Sequence, residues 1–566
     1  MDNFRLILIV GLAFILLMLY QAWQEDYGPK PASVTSTSTT EITNTSKPIA
    51  TASDSELPDT RNLQTHSDMP EVPGTQQIPK LLKSDKRVFV ETDVLKLEID
   101  TKGGDIRVVD LPDYPVTRKT PDDPFRLMND TLPNLFVAQS GLLSKQDAPT
   151  HQDIYQSDDV NYRLPNGADS LRVKLTWTNA TSNIKVSKIY TFYPKSYAFD
   201  VEHIVENKTA EPWEGRLYGQ FQRTEADLGE SRFLYTYMGG AISSPDQLYE
   251  KIAFSEMQEN SLGLRPAWAG GWAAMLQHYF VAAWIPEHNQ SYKYQTRVFS
   301  GNRYTLQLVG PLLTVASDSQ MVFKMKFFAG PKLQNKLAEL SHGLDLTVDY
   351  GWLWFIAQPL FWMLEIIFDW VGNWGWAIII LTILIKLAFF HLSATSYKSM
   401  ANMRRLQPRL VTLKERYGDD KTRMNQALMD LYKKEKINPL GGCLPIVVQI
   451  PVFIALYWVL LESVELRQAS FILWLDDLST PDPFFVLPLI MGATMVVQHF
   501  LNPAPLDPVQ QKVMLVLPIV FTVFFAFFPS GLVLYWVVNN VLSIGQQWVI
   551  TNKIAGNVLL EGIKKK

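Results

Sequence analysis

The stretch Trp376-Ala-Ile-Ile-Ile-Leu-Thr-Ile-Leu-Ile-Lys386-Leu-Ala-Phe-Phe390 decides the fold. Its apolar run, broken by Thr382 and Lys386 alone, reads as a membrane-spanning helix. An ionisable residue within such a helix is costly, so it usually faces a partner, a cavity or a water-filled path rather than lipid. A second reading also stands. His391 lies roughly 7–8 Å further along a helix, so the Lys386 stem could snorkel to the interface.

Upstream, Trp352, Trp354, Trp362, Trp370, Trp374 and Trp376 crowd one region, interrupted by Pro359, Glu365 and Asp369. Tryptophan collects at membrane–water interfaces because its ring is apolar and its N–H needs a partner. Residues 350–372 therefore read as an amphipathic helix on the bilayer surface, leading into a span at 374–392. Downstream, further apolar runs predict spans at 441–461, 483–500, 513–528 and 532–550, the last two joined by Pro529-Ser530-Gly531. The first apolar stretch, Leu6 to Tyr20, is read as an uncleaved signal anchor over 1–24, because Leu19-Tyr20-Gln21-Ala22-Trp23 is too bulky for a cleavage site. That makes six candidate spans.

A 47% hydrophobic content with 16 Trp and a mean hydropathy of only -0.01 requires a large polar part beside the spans. Residues 25–80, rich in Ser, Thr, Pro and Asp, are a flexible tether or plain spacer. Over 81–346 the period becomes two. Leu95, Leu97 and Ile99 alternate with Lys96, Glu98 and Asp100 before Gly103-Gly104, and Leu171, Val173, Leu175 and Trp177 alternate with Arg172, Lys174 and Thr176. Phe199, Val201, His203 and Val205 do the same, with Ile204 a break in the pattern. Half-buried strands on this scale predict a large antiparallel β-sandwich. Around Lys332 to Leu346 the period turns helical and closes the domain.

The net charge of -4 decides nothing about partners, but its distribution does. The segment 393–438 carries Lys398, Arg404, Arg405, Arg409, Lys414, Arg416, Lys421, Arg423, Lys433, Lys434 and Lys436, and the chain ends Lys564-Lys565-Lys566. Between Glu462 and Asp482 the sole cation is Arg467. The positive-inside rule places the basic segment and both termini in the cytoplasm and the β domain on the far side. Helical patterning on both sides of Tyr417-Gly418-Asp419-Asp420 makes 393–438 a cytoplasmic hairpin, followed in the core by the remaining spans to 554 and a basic tail, 555–566. Its Met400, Met403, Met424 and Met429 are either an adaptable apolar surface or ordinary packing. Its charges suit ribosomal RNA, anionic lipid or topology equally.

Single Cys443 excludes an intrachain disulfide and a cysteine-based metal cluster. His151, His203, His278 and His288 are scattered without ligand spacing, and no GxxxxGK[ST] phosphate loop occurs. No cofactor, no metal, no catalytic residue and no DNA partner is expected. Prolines at 439, 445 and 451 would free backbone carbonyls in the third span, as in a helix beside a cavity or a merely kinked one.

Asn438-Pro-Leu-Gly-Gly-Cys-Leu-Pro445, Ser463-Val-Glu-Leu-Arg467, Asp507-Pro-Val-Gln-Gln-Lys512 and Phe528-Pro-Ser-Gly-Leu-Val-Leu-Tyr535 resemble the YidC/Oxa/Alb family of membrane protein insertases. The likeness runs from about Tyr350 to Ile554, and the anchor, tether and β domain match its Gram-negative form. The resemblance implies an α-helical core of five spans around a hydrophilic groove in the inner membrane, with a periplasmic β-supersandwich. Lys386 takes the place of the family's usual arginine. With it, substrate contact is implied for Thr382, Cys443, Leu444, Pro445, Val448, Gln449, Phe521, Phe524, Phe525 and Phe528. Arg404, Arg405, Arg409, Lys433, Lys434 and Lys564 to Lys566 would meet the ribosome or signal recognition particle. Implied partners are nascent inner-membrane proteins, the Sec translocon with its accessory components, and the lipid bilayer.

The expected work is facilitated partitioning. A nascent span gains roughly 0.3–0.6 kcal/mol per strongly apolar residue, while each carboxylate crossing the bilayer centre costs about 3 kcal/mol. A wet groove would shorten the dry path, and Lys386 would attract acidic residues. Competing readings are an ion or solute transporter built on Lys386, disfavoured by the lack of internal repeats, and a periplasmic carbohydrate-binding protein, for which fold alone is no evidence.

Overall fold

A computed structural model describes residues 84–566 apart from 180–181, 226–235, 260–261, 263–264, 300, 418–419, 436–443, 503–507 and 565–566. The anchor at 1–24, the tether at 25–80, Cys443, Lys565 and Lys566 lie outside the described residues.

Residues Arg87–Pro331 form two sheets, one of 11 strands and one of 9. The strand Ala198–Asn207 lies centrally in the smaller sheet, paired antiparallel with Ile184–Phe192 and Ser319–Pro331. Its alternation explains the packing: Phe199, Val201, His203 and Val205 are buried, whereas Glu202, Ile204 and Glu206 are less so. Aromatic side chains join the sheets, with Phe221 of the larger meeting Trp284 at 6.3 Å and Phe327 at 5.9 Å in the smaller. The tight turn after Lys96–Asp100 needs glycine, because Gly103 has φ +75° and a Cβ there would lie 2.4 Å from the His151 carbonyl oxygen. In the larger sheet, buried Gln295, Gln307, Gln220 and Gln139 pass hydrogen bonds from strand to strand and end on Asp105. A short helix, Gln334–Leu340, and a 3₁₀ turn, Leu344–Thr347, close the domain.

The rest is helical. Helix α1 (Trp354–Val371) ends at Gly372, whose φ of 65° turns the chain sharply, and Asn373 then caps α2 (Trp374–Ala388) by accepting from the Trp376 N–H at 3.2 Å. Sequence predicts one span over 374–392, but α2 stops at Ala388 and α3 (Phe390–Tyr417) leaves it at 68°. Helix α4 (Lys421–Lys434) is capped by Asp420, whose side chain accepts from the Thr422 and Arg423 N–H groups. Then come α5 (Leu444–Glu462), α6 (Val486–Leu501), α7 (Pro508–Phe525) and α8 (Ser530–Lys564). Helix α8 extends about 50 Å at 1.5 Å per residue, well beyond a hydrocarbon layer of about 30 Å. By length and apolarity, Gly351–Val371 qualifies as a spanning helix among the described residues, and the bent pair α2–α3 is a second candidate. Helices α6 and α7 approach so closely that a Cβ on Gly492 would lie 2.0 Å from Thr522 Oγ1.

The loop between α5 and α6 ties the core to the β domain. Arg467 donates to the Pro115 carbonyl at 2.7 Å and lies over the stacked rings of Phe125 and Phe280. Arg118 donates to the Asp476 carbonyl at 2.9 Å, Val464 joins the β-domain core, and the buried Lys332 ammonium stands 3.9 Å from Glu462. The same loop receives the start of α8, since Ser530 Oγ donates to the Asp477 carbonyl at 3.0 Å.

Candidate functional site

Lys386 lies on the last turn of α2, about 18 Å along the axis from Trp374. Trp374 is at the end near the loop, where Asn373 donates to the Ser470 carbonyl. The lysine is therefore deep relative to the β domain and close to the corner from which the basic hairpin leaves. It is 5% exposed, so its charge needs local polar support. That support is Ser543 of α8, whose Oγ accepts from Lys386 Nζ at 2.8 Å. Among the described residues no carboxylate lies within ion-pair distance of this ammonium.

A polar row on α8 surrounds the contact. Asn539, Asn540, Ser543 and Gln547 recur at three- and four-residue intervals, which places them on one helical face. Gln449 of α5 donates to Asn539 Oδ1 at 2.6 Å, and Asn540 donates to Thr494 Oγ1 of α6 at 3.1 Å. Gln547 donates to the Leu501 carbonyl and to Asn502 Oδ1, each at 3.1 Å. These contacts draw α2, α5 and α6 onto one polar surface of α8. Asn539, Asn540, Ser543 and Gln547 were not singled out from sequence, although their spacing in an otherwise apolar span was a usable signal.

The other expected contact residues divide. Thr382 is buried and its hydroxyl donates to the Ile378 carbonyl at 2.6 Å, within its own helix. Gln449 joins the polar surface, whereas Val448 is exposed beside Val447 and Ile450. Leu444 and Pro445 open α5. Phe525 and Phe528 are buried in the helical core, Phe521 packs against it, and Phe524 is 46% exposed among the outward-facing Ile519, Val520 and Val523 of α7. Of the residues expected to form an apolar surface, Val448 and Phe524 are exposed, whereas Phe525 and Phe528 are buried. Arg404, Arg405, Arg409, Lys433 and Lys434 are exposed on the hairpin, where Arg409 pairs with Glu435, and Lys564 ends α8.

A two-sheet domain joined to a helical membrane core, with a buried lysine against a polar helix face, defines a membrane protein of two parts. Residues 87–363 match the family described as YidC periplasmic domain, and residues 366–557 match the 60Kd inner membrane protein family. The chain is 49% identical over 560 residues to a membrane protein insertase YidC of Methylococcus capsulatus, covering 98% of this chain and 99% of that one. It is 50% identical over 571 residues to one of Alkalilimnicola ehrlichii, covering 98% and 96%. A solved structure of an active YidC insertase with its first transmembrane domain resolved shares 19% identity over 82% of this chain and 93% of that one, with a TM-score of 0.37. The chain belongs to the YidC family of membrane protein insertases.

Proposed function

We propose that this chain inserts nascent transmembrane segments into the inner membrane, with Lys386 and the polar face of α8 as the path for the segment's hydrophilic flank. The observation that carries the reading is the deeply placed ammonium, held by a hydroxyl in an apolar helix. Family membership supports the activity, and the buried ammonium beside the polar face of α8 supports the route. Passage of one carboxylate costs about 3 kcal/mol at the bilayer centre, and a cation part-way along offsets some of that. No covalent step is involved.

Depth supports the orientation. Lys386 lies far from the β domain and near the basic hairpin, so a polar flank arriving from the hairpin side meets it before the tryptophan-rich end. We place the hairpin in the cytoplasm and the β domain in the periplasm, with α1 lying along the far interface. Helix α1 packs inward through Ala357, Leu360, Phe361 and Leu364, turns Trp354, Trp362 and Trp370 outward, and receives at Glu365 a hydrogen bond from Asn335 of the β domain. The exposed arginines and lysines of the hairpin are the surface for the ribosome or signal recognition particle, and the β domain is the side for Sec accessory components.

Purified full-length chain in liposomes should give a protease-protected translocated tail on a single-span client well above protein-free liposomes. Protection no greater than in empty liposomes would dismiss the reading.

A further inference from the structure

Lys386 acts through a hydroxyl whose own bonding is already determined. Ser543 Oγ is 2.7 Å from the Asn539 carbonyl, one turn back in α8, and that carbonyl can only accept. The serine proton is therefore directed to the backbone, leaving its lone pairs for incoming donors. One receives Lys386 Nζ at 2.8 Å. Ser543 is 4% exposed, so bulk water has little access to replace these bonds. One small side chain thus joins α2 and α8 near the corner where the chain bends by 68°.

We propose that Ser543 is the positioning residue for Lys386: it holds the ammonium at a fixed depth against α8 through one N–H and leaves the others for an acidic client side chain. An ammonium has three donors, whereas the serine takes one. An alanine there would remove the acceptor and free the four-carbon stem to move towards the bilayer interface. A threonine would keep the acceptor and the backbone bond, because its Oγ1 can also donate to the carbonyl four residues back. The role rests on the groove reading above, but the position of the lysine can be tested without any client.

The first arm therefore measures acetylation of Lys386 by acetic anhydride in proteoliposomes of the full chain, read by mass spectrometry. Ser543→Ala should raise the rate at least threefold, and Ser543→Thr should stay within about twofold of the unmodified chain. Equal rates in all three chains would overturn the positioning role. The second arm compares insertion of a single-span client carrying an acidic tail with the same client carrying a neutral tail. Ser543→Ala should lower the acidic-to-neutral ratio about three- to tenfold and add nothing to Lys386→Ala. An equal loss for both clients, or additive loss in the double variant, would show a packing role instead. Absence of insertion by the unmodified chain would reject the proposed function itself, and acetylation would still decide the position of Lys386.

Discussion

Asp482 is where a single carboxylate organises the far end of the helical core, and its removal should be costly. The residue is 1% exposed. One carboxylate oxygen accepts from Trp474 Nε1 at 2.9 Å and from the Phe484 N–H at 3.0 Å, and the other accepts from the Leu487 N–H at 2.7 Å. The first turn of α6 has no intrahelical acceptor for such N–H groups, so Asp482 both caps the helix and fastens the loop indole to it. Asp482→Ala leaves three donors without their acceptor, at about 1–3 kcal/mol for each that stays buried. Partial relaxation brings the expected loss to about 3–5 kcal/mol. Asp482→Asn keeps one carbonyl oxygen but turns an amide NH₂ towards donors, for an expected loss of about 2–3 kcal/mol. Reversible denaturant unfolding in micelles, with hydrogen exchange at Leu487, measures both. An alanine variant within about 1 kcal/mol of the unmodified chain, with unchanged protection at Leu487, would refute the reasoning.

Glu465 offers a pH test at the same end, since burial, with a smaller contribution from Glu365, pushes its carboxyl up to about 7. The folded state then binds more protons than the unfolded state between about pH 4.5 and 7, so stability should fall as pH rises through that window and level off above it. Glu465→Gln should flatten this part of the Tm profile, and an unchanged slope would reject the assignment. Arg467→Ala removes the Pro115 contact and the guanidinium over Phe125 and Phe280. It should weaken docking of the β domain by about 2–3 kcal/mol and speed limited proteolysis near Val116; unaltered digestion would count against the clamp. Gly492→Val should separate α6 from α7 and lower Tm by several degrees, with partial recovery on adding Thr522→Ala. A full-height Tm in the single variant would contradict the close approach.

The β domain was legible because its strands have one buried face: Phe199, Val201, His203 and Val205 alternate in sequence as they do in burial. Order and pairing of the strands were not legible, because cross-strand partners such as Ala198 and Phe328 are far apart in the chain. Apolar runs marked the helices of the core, but not their ends. The predicted span 374–392 splits at Phe389, since hydropathy does not register a bend between two apolar helices. The same measure extended α7 to Phe528, whereas the helix stops at Phe525 and Phe528 beyond it turns into the bundle. At the site, Lys386 stood out because a charge in an apolar run has a large free-energy cost. Ser543 did not, because a serine in a helix can satisfy its hydroxyl on its own backbone, and only the fold brings it to the lysine.

The most direct measurement is insertion of one single-span client, with no, one or two acidic residues in its translocated tail, by the unmodified chain, Lys386→Ala and Lys386→Arg in proteoliposomes. With a buried cation as the waypoint, Lys386→Ala should lose more efficiency with each added carboxylate, whereas Lys386→Arg should keep most of it. Equal insertion of all three clients by all three chains would contradict the role of Lys386 and leave the polar face of α8 and the apolar surface around Val448 and Phe524 to carry the transfer.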